Sequence, residues 1–206
     1  MSIQFKNEAS NTEQEILINT IEKAVEISQN FIPLRDVSFS IEFDEQQVIP
    51  EWGVGGYCEN DSLVEIAVEK NRENDWKQFL PRTVFHEWHH LARWRGIGYG
   101  KALLEVMISE GLAQHFEVEV DKGNPSFFSQ FLTSEQRNNM FACLKNEYRD
   151  PSFDHSRWFF GKGEFPFQGG YDLSFYITGM YMTETKAKPS QLIDLTAEKM
   201  ATFLDF

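Results

Sequence analysis

The chain has 206 residues, and its 19 Lys+Arg against 32 Asp+Glu leave a formal charge of −13, which excludes an extended phosphate-tracking surface and argues against nucleic acid as a partner. With 41% hydrophobic and 25% charged residues, the composition is that of a globular protein able to bury a core, which excludes disorder over much of its length. Two cysteines, Cys58 and Cys143, make neither a disulfide framework nor a thiolate zinc cluster. The chain lacks both a signal-peptide core and a run of about 18 apolar residues. A soluble, cytoplasmic protein with no membrane partner is expected. One core suffices at this length, so a single domain is expected, with an N-terminal lobe over residues 1–100 and a C-terminal lobe over residues 101–206.

Leu17, Ile18, Ile21, Ala24 and Val25 recur at helical spacing. They predict a first helix over residues 12–31, with Thr12 and Glu15 as a capping box. Val37, Phe39, Ile41 and Phe43 alternate with polar residues, the period of a half-buried strand. Residues 52–57 read as a glycine-rich turn leading into a second strand over 63–68, paired with the first. Pro81 suits a helix's first turn, where its missing N–H has no intrahelical partner, so a helix is predicted over 81–95, stopped by Gly96, Gly98 and Gly100. Another follows over 102–120, and Ser134 opens a further one. Residues 149–170 carry glycines, prolines and aromatics and read as a long ordered loop without helix. Helices over 172–185 and 189–204 close the chain. The expected fold class is α+β, a small antiparallel sheet beside the helix over 81–95 and a mainly helical C-terminal lobe.

The sequence His86-Glu87-Trp88-His89-His90 is an HExxH motif inside the helix that contains Pro81. At about 100° per residue, His86 and His90 fall on one face one turn apart, close enough to share a metal ion. Glu87 lies beside that pair, where it can hold and deprotonate a metal-bound water. His89 lies about 100° away from His90 and reads as a packing or surface residue. Two imidazoles leave zinc short of its usual three protein ligands. Glu110, 20 residues beyond His90 on the next helix, meets that demand, whereas Glu105, Glu117 and Glu119 read as surface glutamates and His115 as structural. Cys58 and Cys143 read as buried thiols, and Phe127, Phe128 and Phe131 as core.

HExxH followed about 20 residues later by a helical Glu resembles the gluzincin metallopeptidases. Together with Gly55-Gly56-Tyr57, Ser109-Glu110-Gly111-Leu112-Ala113, Trp158-Phe159-Phe160-Gly161 and Gly170-Tyr171, it is similar to an uncharacterised bacterial family of predicted zinc-dependent proteases over residues 50–185. The resemblance implies a zincin-like fold and one zinc ion per chain on His86, His90 and Glu110. It implies hydrolysis of a peptide or protein substrate by a water that Glu87 deprotonates, and an oxyanion donor from a later segment. Tyr171, His155 and Tyr176 are the donors available, with Tyr171 favoured because it follows Gly169 and Gly170. It also implies that the strand over 63–68 offers its edge to an extended peptide. One departure stands out: thermolysin-like enzymes place Asp four residues after the ligand Glu, and this chain has Gln114. Two other functions stay open, a non-catalytic or regulatory zinc-binding domain and a zinc hydrolase of non-peptide amides; the intact Glu87 weighs against the first.

Overall fold

Ser10, not Thr12, starts the first helix. Its hydroxyl accepts from the Glu13 amide at 3.3 Å while the Glu13 carboxylate accepts from the Ser10 amide at 2.7 Å, a reciprocal cap that the Thr12 and Glu15 pair does not form. This helix, α1 (Asn11–Gln29), joins β1 (Ser2–Phe5) to the parallel strand β2 (Ser38–Phe43), with Ile3 beside Phe39 and Phe5 beside Ile41. β1 lies outside the predicted strands because two apolar positions in four residues are too short a pattern to read. In the computed structural model, which describes residues 1–206, the sheet runs β1-β2-β4-β3, where β3 is Val54–Cys58 and β4 is Leu63–Val68.

The fold class is α+β, but the sheet is mixed rather than antiparallel. β1 pairs β2 and β2 pairs β4 in parallel, and only β3 runs against β4. Connectivity decides this: α1 returns the chain to the same end of the sheet before β2, and the β3–β4 hairpin takes up the reversal, so β4 re-enters parallel to β2. The segment 52–57, read as a turn, thus contributes most of β3. β4 does pair with β2, yet β3 covers its far side, so the expected free edge belongs to β3, where Gly56 and Tyr57 are exposed.

Phe39, Ile41, Val64, Ile66 and Val68 form the buried side of the sheet. Over β3 and β4 packs α2 (Glu73–Arg95), and α1 packs on α2. α2 begins at Glu73, about two turns before Pro81, instead of at the proline. Trp76 and Leu80 in those turns are fully buried, and the Trp76 indole donates to the Glu69 carbonyl at 2.9 Å. That burial offsets the hydrogen bond Pro81 cannot donate, a defect of about 3 kcal/mol in a helix interior. Further along, the Trp88 indole donates to the Ile32 carbonyl at 2.9 Å, fixing the rotation of α2.

These elements make up the unit Met1–Arg95; a second compact unit spans Gly96–Phe206. It contains α3 (Leu103–Asp121), α4 (Ser134–Glu147), α5 (His155–Phe159), α6 (Gly169–Thr185) and α7 (Ala197–Leu204). Its core gathers Leu104, Ile108, Leu112, Trp158, Phe159, Leu173 and Ile177. α3 and α6 touch closely at Gly111, where a Cβ would run into the Ser174 carbonyl. α5 interrupts the predicted loop: the Asp154 side chain caps it, and its five residues are too few to show a helical period. The predicted closing helix is divided into a short 3-10 turn at Pro189–Gln191 and α7, which Thr196 caps anew. Of the Phe-rich stretch only Phe128 is buried, while Phe127 and Phe131 are exposed. No helix is long and apolar enough to cross a membrane.

Candidate metal centre

In Met1–Arg95 the helical period of α2 brings the His86 and His90 rings to 4.7 Å between centroids, at 83° to each other. His90 is 4% and Glu87 5% exposed, and His86 is half-buried. β3 passes directly over Glu87 at Gly56. A Cβ there would stand 2.6 Å from Thr83 Cγ2 and 2.8 Å from Glu87 Cγ, so only glycine admits this approach. Two residues on, Cys58 is buried and donates to the Asn60 carbonyl at 3.1 Å. Burial first, and the charge of Glu87 second, push its thiol pKa well up, which keeps it protonated and a poor ligand. His89 is fully buried, which decides for packing between the packing and surface roles its helical angle left open.

In Gly96–Phe206, Glu110 sits on α3 at 7% exposure and accepts a hydrogen bond at Oε1 from the Tyr99 hydroxyl. Gln114, one turn along, ties three elements together. Its amide donates to the Glu110 carbonyl at 3.3 Å and to the Tyr171 carbonyl at 3.1 Å, and its oxygen accepts from the Ser129 hydroxyl at 2.5 Å. Beside Tyr171, the fully buried Asp172 accepts from the Phe131 and Leu132 amides at 2.6 and 2.8 Å and from Arg137 at 2.9 Å.

The proposed oxyanion donors separate here. Tyr171 is half-buried with its ring edge-on to Phe159 at 5.0 Å. His155 is stacked on the same Phe159 at 4.6 Å. Desolvation of the His155 imidazole lowers its pKa, and the charges of Glu110 and Asp154 oppose that shift. Tyr176 instead lies under the Arg137 guanidinium and lines a groove with Phe175, Met180 and Phe203. His115 stacks on Phe175 at 3.8 Å with Nε2 2.9 Å from the Phe175 carbonyl, a structural role.

His86 and His90 offer imidazole nitrogens and Glu110 a carboxylate oxygen, a group of side chains that could hold a metal ion. Two imidazole nitrogens and a carboxylate oxygen are the donor set of three-ligand zinc sites, so the residues fit the ion. With HExxH on α2, these residues give a chain of α+β architecture a candidate metal site. The chain belongs to the family described as predicted Zn-dependent protease (DUF2268), which matches residues 7–202. It is 30% identical over 127 residues to the uncharacterized protein YjaZ of Bacillus subtilis (strain 168), an alignment covering 58% of this chain and 48% of YjaZ. The chain thus spans about half the length of that curated relative. No solved structure matches it. Tyr99 escapes sequence reasoning, because the segment Gly98-Tyr99-Gly100 signals a helix stop; an aromatic between two glycines was the available clue.

Proposed function

We propose that the protein is a zinc metallopeptidase of gluzincin type on a zincin-like fold, acting on peptide or protein substrates. His86, His90 and Glu110 would hold one zinc ion per chain. Bound zinc supplies Lewis acidity toward a scissile carbonyl and a water whose pKa falls to about 7. Glu87 takes up the proton of the attacking water at its carboxylate and passes it to the leaving amine nitrogen. Tyr171 donates to the developing oxyanion, and His155, which shares the Phe159 ring with it, is the alternative donor. The exposed rim of β3 at Gly56 and Tyr57 offers backbone groups to an extended peptide. Free Cys58 and Cys143 suit a reducing, cytoplasmic setting.

The observation that carries this reading is Glu87, a carboxylate only 5% exposed, one residue from the imidazole pair and beneath the rim of β3. A purely structural metal site has no use for a base at that position. Metal analysis of protein purified without added zinc, followed by digestion of a peptide library, tests it. Stoichiometric zinc and cleavage are expected, with Glu87→Gln keeping the metal and losing turnover by roughly 10²- to 10⁴-fold. Equal cleavage by Glu87→Gln would sink the hydrolase reading.

A further inference from the structure

We infer that Tyr99 is a positioning residue for metal binding, its phenol donating to one carboxylate oxygen of Glu110 so that this side chain meets zinc in a fixed orientation. The inference rests on the reading of Glu110 as the third ligand.

Four features of Gly96–Phe206 aim the phenol. Gly98 and Gly100 flank it at φ 89° and 105°, left-handed conformations that L side chains avoid, so the chain reverses sharply on both sides of Tyr99. The Ser109 hydroxyl, fully buried and adjacent to Glu110, donates to the Tyr99 carbonyl at 2.5 Å. The Glu105 carboxylate accepts from the Lys101 and Ala102 amides at 2.8 Å each, tying the outgoing strand of the loop to the first turn of α3. Finally, the Tyr99 hydroxyl donates to Glu110 Oε1. The loop is therefore anchored to the helix that carries Glu110 at Tyr99 itself and at the residues that follow it.

The chemistry suits a ligand support. A phenol hydroxyl donates one hydrogen bond and brings no positive charge of its own, so it orients the carboxylate without cancelling the negative charge a dication needs. Lysine or arginine in its place would compete with the metal for that charge. Partners behind metal ligands set ligand orientation and basicity. Gln114, which occupies the place of the thermolysin-type Asp, has its amide directed to backbone carbonyls of Glu110 and Tyr171 instead.

The test is the zinc affinity of the full-length protein, measured by competition with a chromophoric chelator, for wild type, Tyr99→Phe and Glu110→Gln. Tyr99→Phe removes one hydroxyl and should weaken zinc binding by roughly tenfold to a hundredfold. The cobalt(II)-loaded protein should show a shifted visible absorption, and the melting temperature of the metal-free protein should stay put. Ser109→Ala, which releases the Tyr99 carbonyl, should shift affinity in the same direction by less. Wild-type affinity in Tyr99→Phe overturns the inference, whatever the turnover. So does a weakened affinity accompanied by a lowered metal-free melting temperature, which assigns Tyr99 to the fold. If Glu110→Gln also binds zinc like wild type, the ligand assignment itself has failed; if Glu110→Gln weakens binding while Tyr99→Phe does not, the positioning role alone is wrong.

Discussion

In Met1–Arg95, one helix places His86, Glu87 and His90, and their mutual positions follow from 3.6 residues per turn. In Gly96–Phe206, Glu110, Tyr99, His155 and Tyr171 come from a loop and three different helices, and the supports around them include hydrogen bonds donated by the Ser109 and Gln114 side chains and accepted by the Asp172 carboxylate. The contrast teaches where each half is fragile. A substitution on α2 removes one group and leaves its neighbours in place, whereas a lost support in the second unit moves several groups together.

The largest expected effect removes a ligand. His90→Ala should leave no zinc after dialysis against a weak chelator, and Glu110→Ala should retain well under one equivalent, both read by elemental analysis. Glu110→Ala with a full complement of zinc would place the third ligand elsewhere and dissolve the contrast. Next comes a support: Asp172→Ala leaves the Arg137 guanidinium without its fully buried partner, a change that costs about 3–5 kcal/mol. Hydrogen exchange should show protection lost across α6 and residues 127–132 and kept in α2. Equal loss in α2 would mean that the supports are not local to the second unit.

Stability should also depend on pH through His115, whose pKa burial lowers to about 4 against the hydrogen bond of the Phe175 carbonyl. Unfolded His titrates near 6.5, so the unfolded chain takes up the proton first. The contribution is fully present above pH 6.5, falls as pH drops toward 4, and amounts to roughly 3 kcal/mol at its full extent. Urea titrations at pH 7 and 4.5 should show a smaller pH dependence for His115→Gln than for wild type; identical slopes would remove the effect. The smallest change sharpens the first unit. Gly56→Ala puts a methyl 2.6 Å from Thr83 Cγ2 and 2.8 Å from Glu87 Cγ, overpacking worth about 1–3 kcal/mol. With Glu87 displaced, kcat should fall more than KM rises; a variant with unchanged kcat would show that β3 does not hold the base.

Much of the candidate site was legible in the sequence because its chemistry is spaced covalently. His86, Glu87 and His90 share a helix whatever that helix packs against, and the alternation through Phe39 and Ile41 specifies one buried face in any sheet. The strand over 63–68 and the helix that carries Glu110 were readable for the same reason, since backbone periodicity is a local property. Tertiary structure decided what no local pattern encodes. Strand direction depends on the path of α1 and the β3 hairpin, so a parallel β2–β4 pair looks like an antiparallel one in sequence. Pro81 is tolerated inside α2 because Trp76 and Leu80 are buried ahead of it, a sum of contacts from distant segments. Tyr99 meets Glu110 only because two left-handed glycines and the Ser109 hydroxyl turn the loop back onto α3. Hydrogen bonds between residues ten or more positions apart depend on the path of the folded chain, which residue spacing does not specify.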